Sequence, residues 1–195
     1  MQTQKNIAFN SVAHILFFAA LLLIASCKGG KDSEQSSAKS GTNEPPKIDI
    51  HTAVVTGNMN VLKQHILAGT NLNERDPFGG SSPLVSASVF GKTEEAKALI
   101  EAGADLNFQN NDGSTALHTA AFFCRPEIVK MLLEKGADKT IKNKFNATPY
   151  ESVAGPFSEA KNSYDVMGTI LSPMGLKLDY PYIEKTRPEI AGMLK

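Results

Sequence analysis

The stretch Asp112-Gly113-Ser114-Thr115-Ala116-Leu117-His118, continued by Cys124-Arg125-Pro126-Glu127-Ile128-Val129-Lys130-Met131-Leu132-Leu133-Glu134-Lys135-Gly136-Ala137-Asp138, decides the fold because versions of it recur. Gly57 to Asn73 and Gly91 to Asn107 align with Cys124 to Thr140, with Gly69, Gly103 and Gly136 in register at spacings of 34 and 33 residues. A fixed period in this range is the mark of a repeat architecture, in which each unit buries its apolar face only against its neighbours. Ahead of the units stand Ser82-Pro83-Leu84, Thr115-Ala116-Leu117 and Thr148-Pro149-Tyr150. Ser82, Thr115 and Thr148 can accept a bond from the free N–H groups of a first helical turn. Pro83 and Pro149 follow where a missing N–H costs nothing. Gly69, Gly103 and Gly136 sit where a second helix must end in a left-handed residue. Ile128, Val129, Met131, Leu132 and Leu133 supply the broad apolar face that neighbours cover.

Thr115-Ala116-Leu117-His118 and Leu132-Leu133-Glu134-Lys135-Gly136-Ala137-Asp138 resemble the signature of the ankyrin repeat, and the resemblance covers roughly two-thirds of the chain. It implies an all-α solenoid of about four helix-turn-helix units, caps included, joined by β-hairpin loops over residues 48–171. Residues 48–73 read as the N-terminal cap, because Gln64 and His65 replace the apolar Met131 and Leu132 of the third unit. His65 is expected at the surface. In the fourth unit, Gly155-Pro156 interrupts the first helix. A second helix is expected to resume near Tyr164 and to end by Ser172-Pro173. Residues 172–195 are expected to form a capping tail, with Leu176, Tyr180 and Tyr182 covering the open end and a short helix starting at Thr186, where Glu189 completes a capping box; a disordered tail is the alternative.

The amino terminus reads as an address. Lys5 precedes an apolar run of 11 residues, Ile15 to Ala25, too short for the roughly 20 that span a bilayer. Ile24-Ala25-Ser26-Cys27 resembles the lipobox of bacterial lipoproteins. That resemblance implies a signal peptide over residues 1–26, lipidation of Cys27, and a location at the bacterial cell envelope, with the outer membrane favoured because Lys28 and not aspartate follows. An ordinary secretory cleavage is the alternative. Residues 28–47 carry no large apolar side chain, so residues 27–47 read as a lipidated cysteine and its flexible tether.

Composition excludes several functions. The chain balances 20 Lys+Arg against 20 Asp+Glu over 195 residues, unlike a nucleic-acid binder, which concentrates positive charge against phosphate. Two cysteines cannot build a disulfide framework or an ordinary four-ligand zinc site. No cofactor, metal or catalytic residue is expected. The resemblance gives His118 and His51, at one repeat position, the role of tying neighbouring loops. Phe90-Gly91-Lys92-Thr93 lacks the earlier glycine of a phosphate-binding loop, with Ser86 in its place. Cys124 stands where Gly57 and Gly91 stand in earlier units; it is either a small buried residue or an unpaired, reactive thiol.

In ankyrin repeats the end of the first helix and the hairpin tips line a concave face that grips a partner, and that resemblance selects Val55-Thr56, Val89-Phe90 and Phe122-Phe123 at the helix ends. Arg75, Phe78 and Asn111, with Ser81, Gln109, Asp112, Ser114 and Lys142, are the hairpin positions. Phe90, Phe122 and Phe123 suggest an apolar stripe for an interface, although inward packing or cover by the tail would also account for the pair. The link at Asp76-Pro77-Phe78-Gly79-Gly80 is one residue longer than the next and can push a tip outward. The reading is therefore a monomeric, membrane-anchored protein–protein interaction module, not an enzyme. An inhibitor or immunity-type protein, or an envelope scaffold, is a variant of it, and a motif-less enzyme the remaining alternative.

Overall fold

The computed structural model describes residues 44–195, which form one compact unit; the leader, the lipobox at Cys27 and most of the tether lie outside them. Three helix pairs come first: α1 (Ile50–Thr56) with α2 (Met59–Leu67), α3 (Pro83–Phe90) with α4 (Thr93–Glu101), and α5 (Ala116–Phe122) with α6 (Pro126–Glu134). Then follow α7 (Glu151–Ala154), α8 (Phe157–Leu171), a 3-10 turn at Ser172–Met174, and α9 (Tyr180–Leu194). No strand occurs among the described residues.

Each pair begins and turns as its residues dictate. The side chains of Asp49, Ser82 and Thr115 accept from the backbone N–H groups of Thr52, Val85 and His118. Thr148 and Glu151 close a reciprocal capping box, Glu151 N–H donating to the threonine hydroxyl and Thr148 N–H to the carboxylate. Gly57 and Gly91 end the first helices in the left-handed conformation, and Cys124 adopts it too, at φ 54°.

The first helices α1, α3, α5 and α7 stack as one layer and α2, α4, α6 and α9 as the other. Between the layers lie Val54, Leu62, Leu84, Leu99, Leu117, Ile128 and Leu132, all fully buried, with Ile190 and Leu194 closing the far end. The two-layer solenoid follows from the repeat, since a single pair has nothing to cover its apolar face.

The fourth unit departs from expectation. Its second helix is α9, packed on α6 and α7, and α8 is an insertion between the unit's two halves. α8 starts at Phe157, directly after Pro156, and not near Tyr164. α9 starts at Tyr180 and not at Thr186, because Asp179 caps it by accepting from Tyr182 N–H. Its buried face, Ile183, Thr186, Arg187, Ile190 and Leu194, runs at helical spacing through Pro188. That burial outweighs the one backbone bond proline removes. Leu176 is buried as expected and Tyr180 half-buried, but Tyr182 points outward; Ile190 and Leu194 cover the end instead.

His65 is the other correction: it is buried, not at the surface. It occupies the core-facing position of Leu132, and Ile48 covers it where a preceding unit would stand. Its Nε2 donates to the Ile48 carbonyl at 2.8 Å, leaving Nδ1 to pair with the Thr70 hydroxyl at 3.1 Å.

Candidate functional site

The loops between units are built by one side chain each. Asp76, Asn110 and Asn143 stand in register and fold the following residues back over their own side-chain oxygens. Asp76 accepts three backbone N–H groups, from Phe78 at 2.7 Å, Gly79 at 2.8 Å and Ser81 at 2.7 Å. Successive tips then bond to one another: Asn111 N–H donates to the Gly79 carbonyl and Lys144 N–H to the Asp112 carbonyl. Asn73 and Asn107 form a second ladder, their side-chain oxygens accepting from Asp105 and Asp138 N–H. Pro77 holds the place of Asn111 and Lys144 in the first tip, where an N–H would have no preceding loop to meet.

Arg75 locks the first tip to the second. Its guanidinium donates to the Gly80 carbonyl and to the Gln109 carbonyl, each at 3.0 Å, and lies 4.5 Å from the centre of the Phe108 ring. Gly80 adopts φ 63°, and a Cβ there would fall 2.4 Å from the Asn111 side-chain oxygen. On this braced loop the extra residue turns Phe78 out of the fold, leaving it 85% exposed. Phe145, at the matching place in the third tip, is 40% exposed.

His118 and His51 tie loops as expected. His118 Nε2 donates to the Ala147 carbonyl at 3.0 Å, and its Nδ1 accepts from Thr115 N–H at 3.2 Å. Burial holds the His118 pKa below the usual imidazole value, against the pull of the Ala147 carbonyl. His51 Nε2 reaches the Glu74 carbonyl at 3.1 Å.

The sequence-derived contact residues separate into two groups at opposite ends of the first helices, which for eight-residue α3 means about 12 Å. Arg75, Phe78 and Asn111 sit together at the tips. Val55, Thr56, Val89, Phe90, Phe122 and Phe123 sit at the turns. Thr56 is exposed there, while Val55, Val89 and Phe90 are half-buried. The expected open aromatic stripe at Phe122-Phe123 is not present. Phe123 is 5% exposed, and Phe122 packs edge-on to it and face-on to Tyr164 of α8. The inserted helix fills the space that a three-unit stack would leave over this turn.

Sequence reading missed the groups beneath α8. Tyr164 is fully buried; its hydroxyl donates to the Phe122 carbonyl at 2.5 Å and accepts from Arg187 at 2.8 Å. Arg187 also donates to the Gly155 carbonyl at 2.9 Å, and its Nε has no partner. The legible signal was Arg187 itself, a charge at a core spacing between Ile183 and Ile190. Cys124 takes the bland alternative: it is fully buried, and burial pushes its thiol up to about 11. Burial also raises the Tyr164 pKa, only partly opposed by Arg187. Among the described residues no three metal-ligating side chains converge, and no helix is long and apolar enough to cross a membrane.

The comparisons agree with this geometry. The family model for ankyrin repeats, in three copies, matches residues 50–143. The crystal structure of the ankyrin repeat domain of Bcl-3, described as a unique member of the IkappaB protein family, superposes with a TM-score of 0.51 at 31% identity. That match covers 53% of this chain and 45% of the other. The human DNA-binding protein RFXANK is 38% identical over 58 residues, 30% of this chain and 22% of that protein. The described domain has the ankyrin-repeat fold, an all-α two-layer solenoid. This chain spans under half of the Bcl-3 domain structure and under a quarter of RFXANK.

Proposed function

We propose that this chain is a protein-recognition module held at the bacterial envelope by a lipid on Cys27, gripping its partner along the loop-tip side of the concave ankyrin face. Phe78 carries the reading. A large aromatic ring that is 85% exposed on a loop fixed by Asp76 and Arg75 gains nothing for the fold. It is suited to enter a partner's pocket, because its loop loses little freedom on binding. The protein is a binder and not an enzyme in this reading, and the balanced charge of the chain favours a protein over nucleic acid. The lipobox-like Ile24-Ala25-Ser26-Cys27 supports the anchor, and the following polar stretch supports a tether long enough to present the domain away from the bilayer.

The test immobilises the chain in envelope extract from its own cell, beside Phe78→Ser and Leu67→Ser. Leu67, 84% exposed at the end of α2, controls for mere surface apolarity. A partner kept by the wild type and Leu67→Ser but lost by Phe78→Ser supports the reading; equal retention by all three ends it. The identity of the partner then separates inhibitor from scaffold. For the anchor, metabolic labelling with a fatty acid should mark the wild type and not Cys27→Ser, and an unlabelled wild type would leave an unanchored binder.

A further inference from the structure

We propose that α8 is a detachable strap, and that the groove it occupies, floored by Phe122 and lined by the Arg187 guanidinium, receives a tyrosine-bearing helix of the protein partner when the strap lifts. α8 is held lightly for a helix of 15 residues, since Tyr164 is its one buried side chain. The cluster it completes, Cys124, Tyr164 and Ile183 with half-buried Phe122, Phe157, Leu178 and Tyr180 around them, is separate from the main core. Its two ends are suited to bending: Gly155-Pro156 precedes it, and Gly175, at φ 94°, follows its terminal turn. α7 and α9 need not move with it, because Val153, Ile190 and Leu194 belong to the main core. A segment with few buried apolar contacts opens at lower cost than the whole domain.

The groove is defined by what α8 puts into it. The Tyr164 ring stacks on Phe122 at 4.4 Å, and its hydroxyl bridges the Phe122 carbonyl and Arg187. Arg187 is 4% exposed, makes no ion pair among the described residues, and is met only by neutral oxygens. A buried guanidinium so placed demands an oxygen in the position of the Tyr164 hydroxyl. The group that replaces Tyr164 must therefore offer both a flat ring and an oxygen, which a phenol does. The opening half of this inference stands on packing alone; the occupant being a protein segment rests on the recognition reading above.

Cys124, fully buried beneath the strap, reports the opening. The full chain is treated with a maleimide, and the label is read by mass spectrometry on the peptide carrying Cys124, apart from Cys27. In the wild type, labelling at low urea should be independent of urea, the mark of local opening, and should join the global unfolding line only at higher concentrations. Tyr164→Ala should label about 100-fold faster, in keeping with loss of a buried aromatic side chain, while the main melting transition is retained. A synthetic peptide of residues Phe157–Leu171 should restore protection to that variant, and the same peptide with Tyr164→Ala should not. Labelling that tracks global unfolding in both forms overturns the strap. Faster labelling without rescue by the peptide overturns the groove, and neither result touches the Phe78 test. Should Tyr164→Ala fail to fold, hydrogen exchange of the wild type decides. Amides of residues 164–171 exchanging while those of Leu99 and Leu117 stay protected support the strap; their exchanging together overturns it.

Discussion

Tyr164 and Phe122 lie face to face, ring centres 4.4 Å apart and planes 20° from parallel, with the tyrosine hydroxyl bonded to the phenylalanine's own carbonyl. The contact joins an inserted helix to the turn of the third unit. It converts what would be an exposed aromatic corner into a small second core, and it leaves Phe78 as the most exposed aromatic ring among the described residues.

Phe123 and Phe78 should therefore behave oppositely. Phe123→Ala removes a nearly fully buried ring and should cost about 3–5 kcal/mol in urea unfolding. Phe78→Ala should change stability by no more than about 0.5 kcal/mol, while weakening partner retention. A large stability loss at Phe78 would mean that its ring packs in solution.

Asp76→Ala should cost about 2–3 kcal/mol, because three backbone N–H groups of the first tip lose a charged acceptor. Asp76→Asn should be milder. Asn110 and Asn143 each hold their own tips with one amide oxygen that accepts two N–H groups. Urea unfolding of the two variants, with partner affinity measured alongside, checks the order; equal losses would show that charge matters more than geometry.

Gly80→Ala should destabilise by about 1–3 kcal/mol, since φ is 63° and the new methyl would meet the Asn111 side chain. It should also weaken partner retention without touching Phe78. A thermal melt of the variant indistinguishable from wild type would show that the first two tips are not locked together.

Stability should decline as pH falls below the ordinary imidazole value of 6.5. The folded state holds His118 neutral, chiefly by burial, so the unfolded chain takes up the proton first. The contribution is whole above 6.5 and is lost as pH falls towards the lower folded value. Asp49 and Glu151 act separately. Hydrogen bonds from Thr52 and Thr148 lower their pKa, so their share persists above the ordinary carboxylate values of 3.8 and 4.5 and is lost only in stronger acid. Unfolding midpoints at pH 7.5, 6 and 5, with the His118 resonance followed by NMR, give the check; a His118 midpoint above 6.5 would reverse the sign.

Much of the fold was legible because the repeat writes its own geometry. Ser82, Thr115 and Thr148 cap, Gly69, Gly103 and Gly136 turn at φ between 69° and 86°, and His118 crosses to the next loop. Each is a local bond between residues a few positions apart or one period apart. The site was legible in part. The lengthened loop at Asp76 did mark an outward Phe78, but Phe122 and Phe123 looked free because the ring that stacks on Phe122 belongs to Tyr164, 42 residues further along the chain.

The period, the helix pairs and the loop that presents Phe78 could be read from spacing and local backbone chemistry. That α9 completes the fourth unit, that α8 is inserted, and that His65, Tyr164 and Arg187 are buried emerged from packing between distant segments. Those outcomes depend on which apolar face wins a contact between segments far apart in the chain. His65 is buried because Ile48 replaces a missing neighbour, and Tyr164 because the open turn at Phe122 lies 42 residues behind it. Burial of that kind is settled by competition for a shared surface, which no local pattern records.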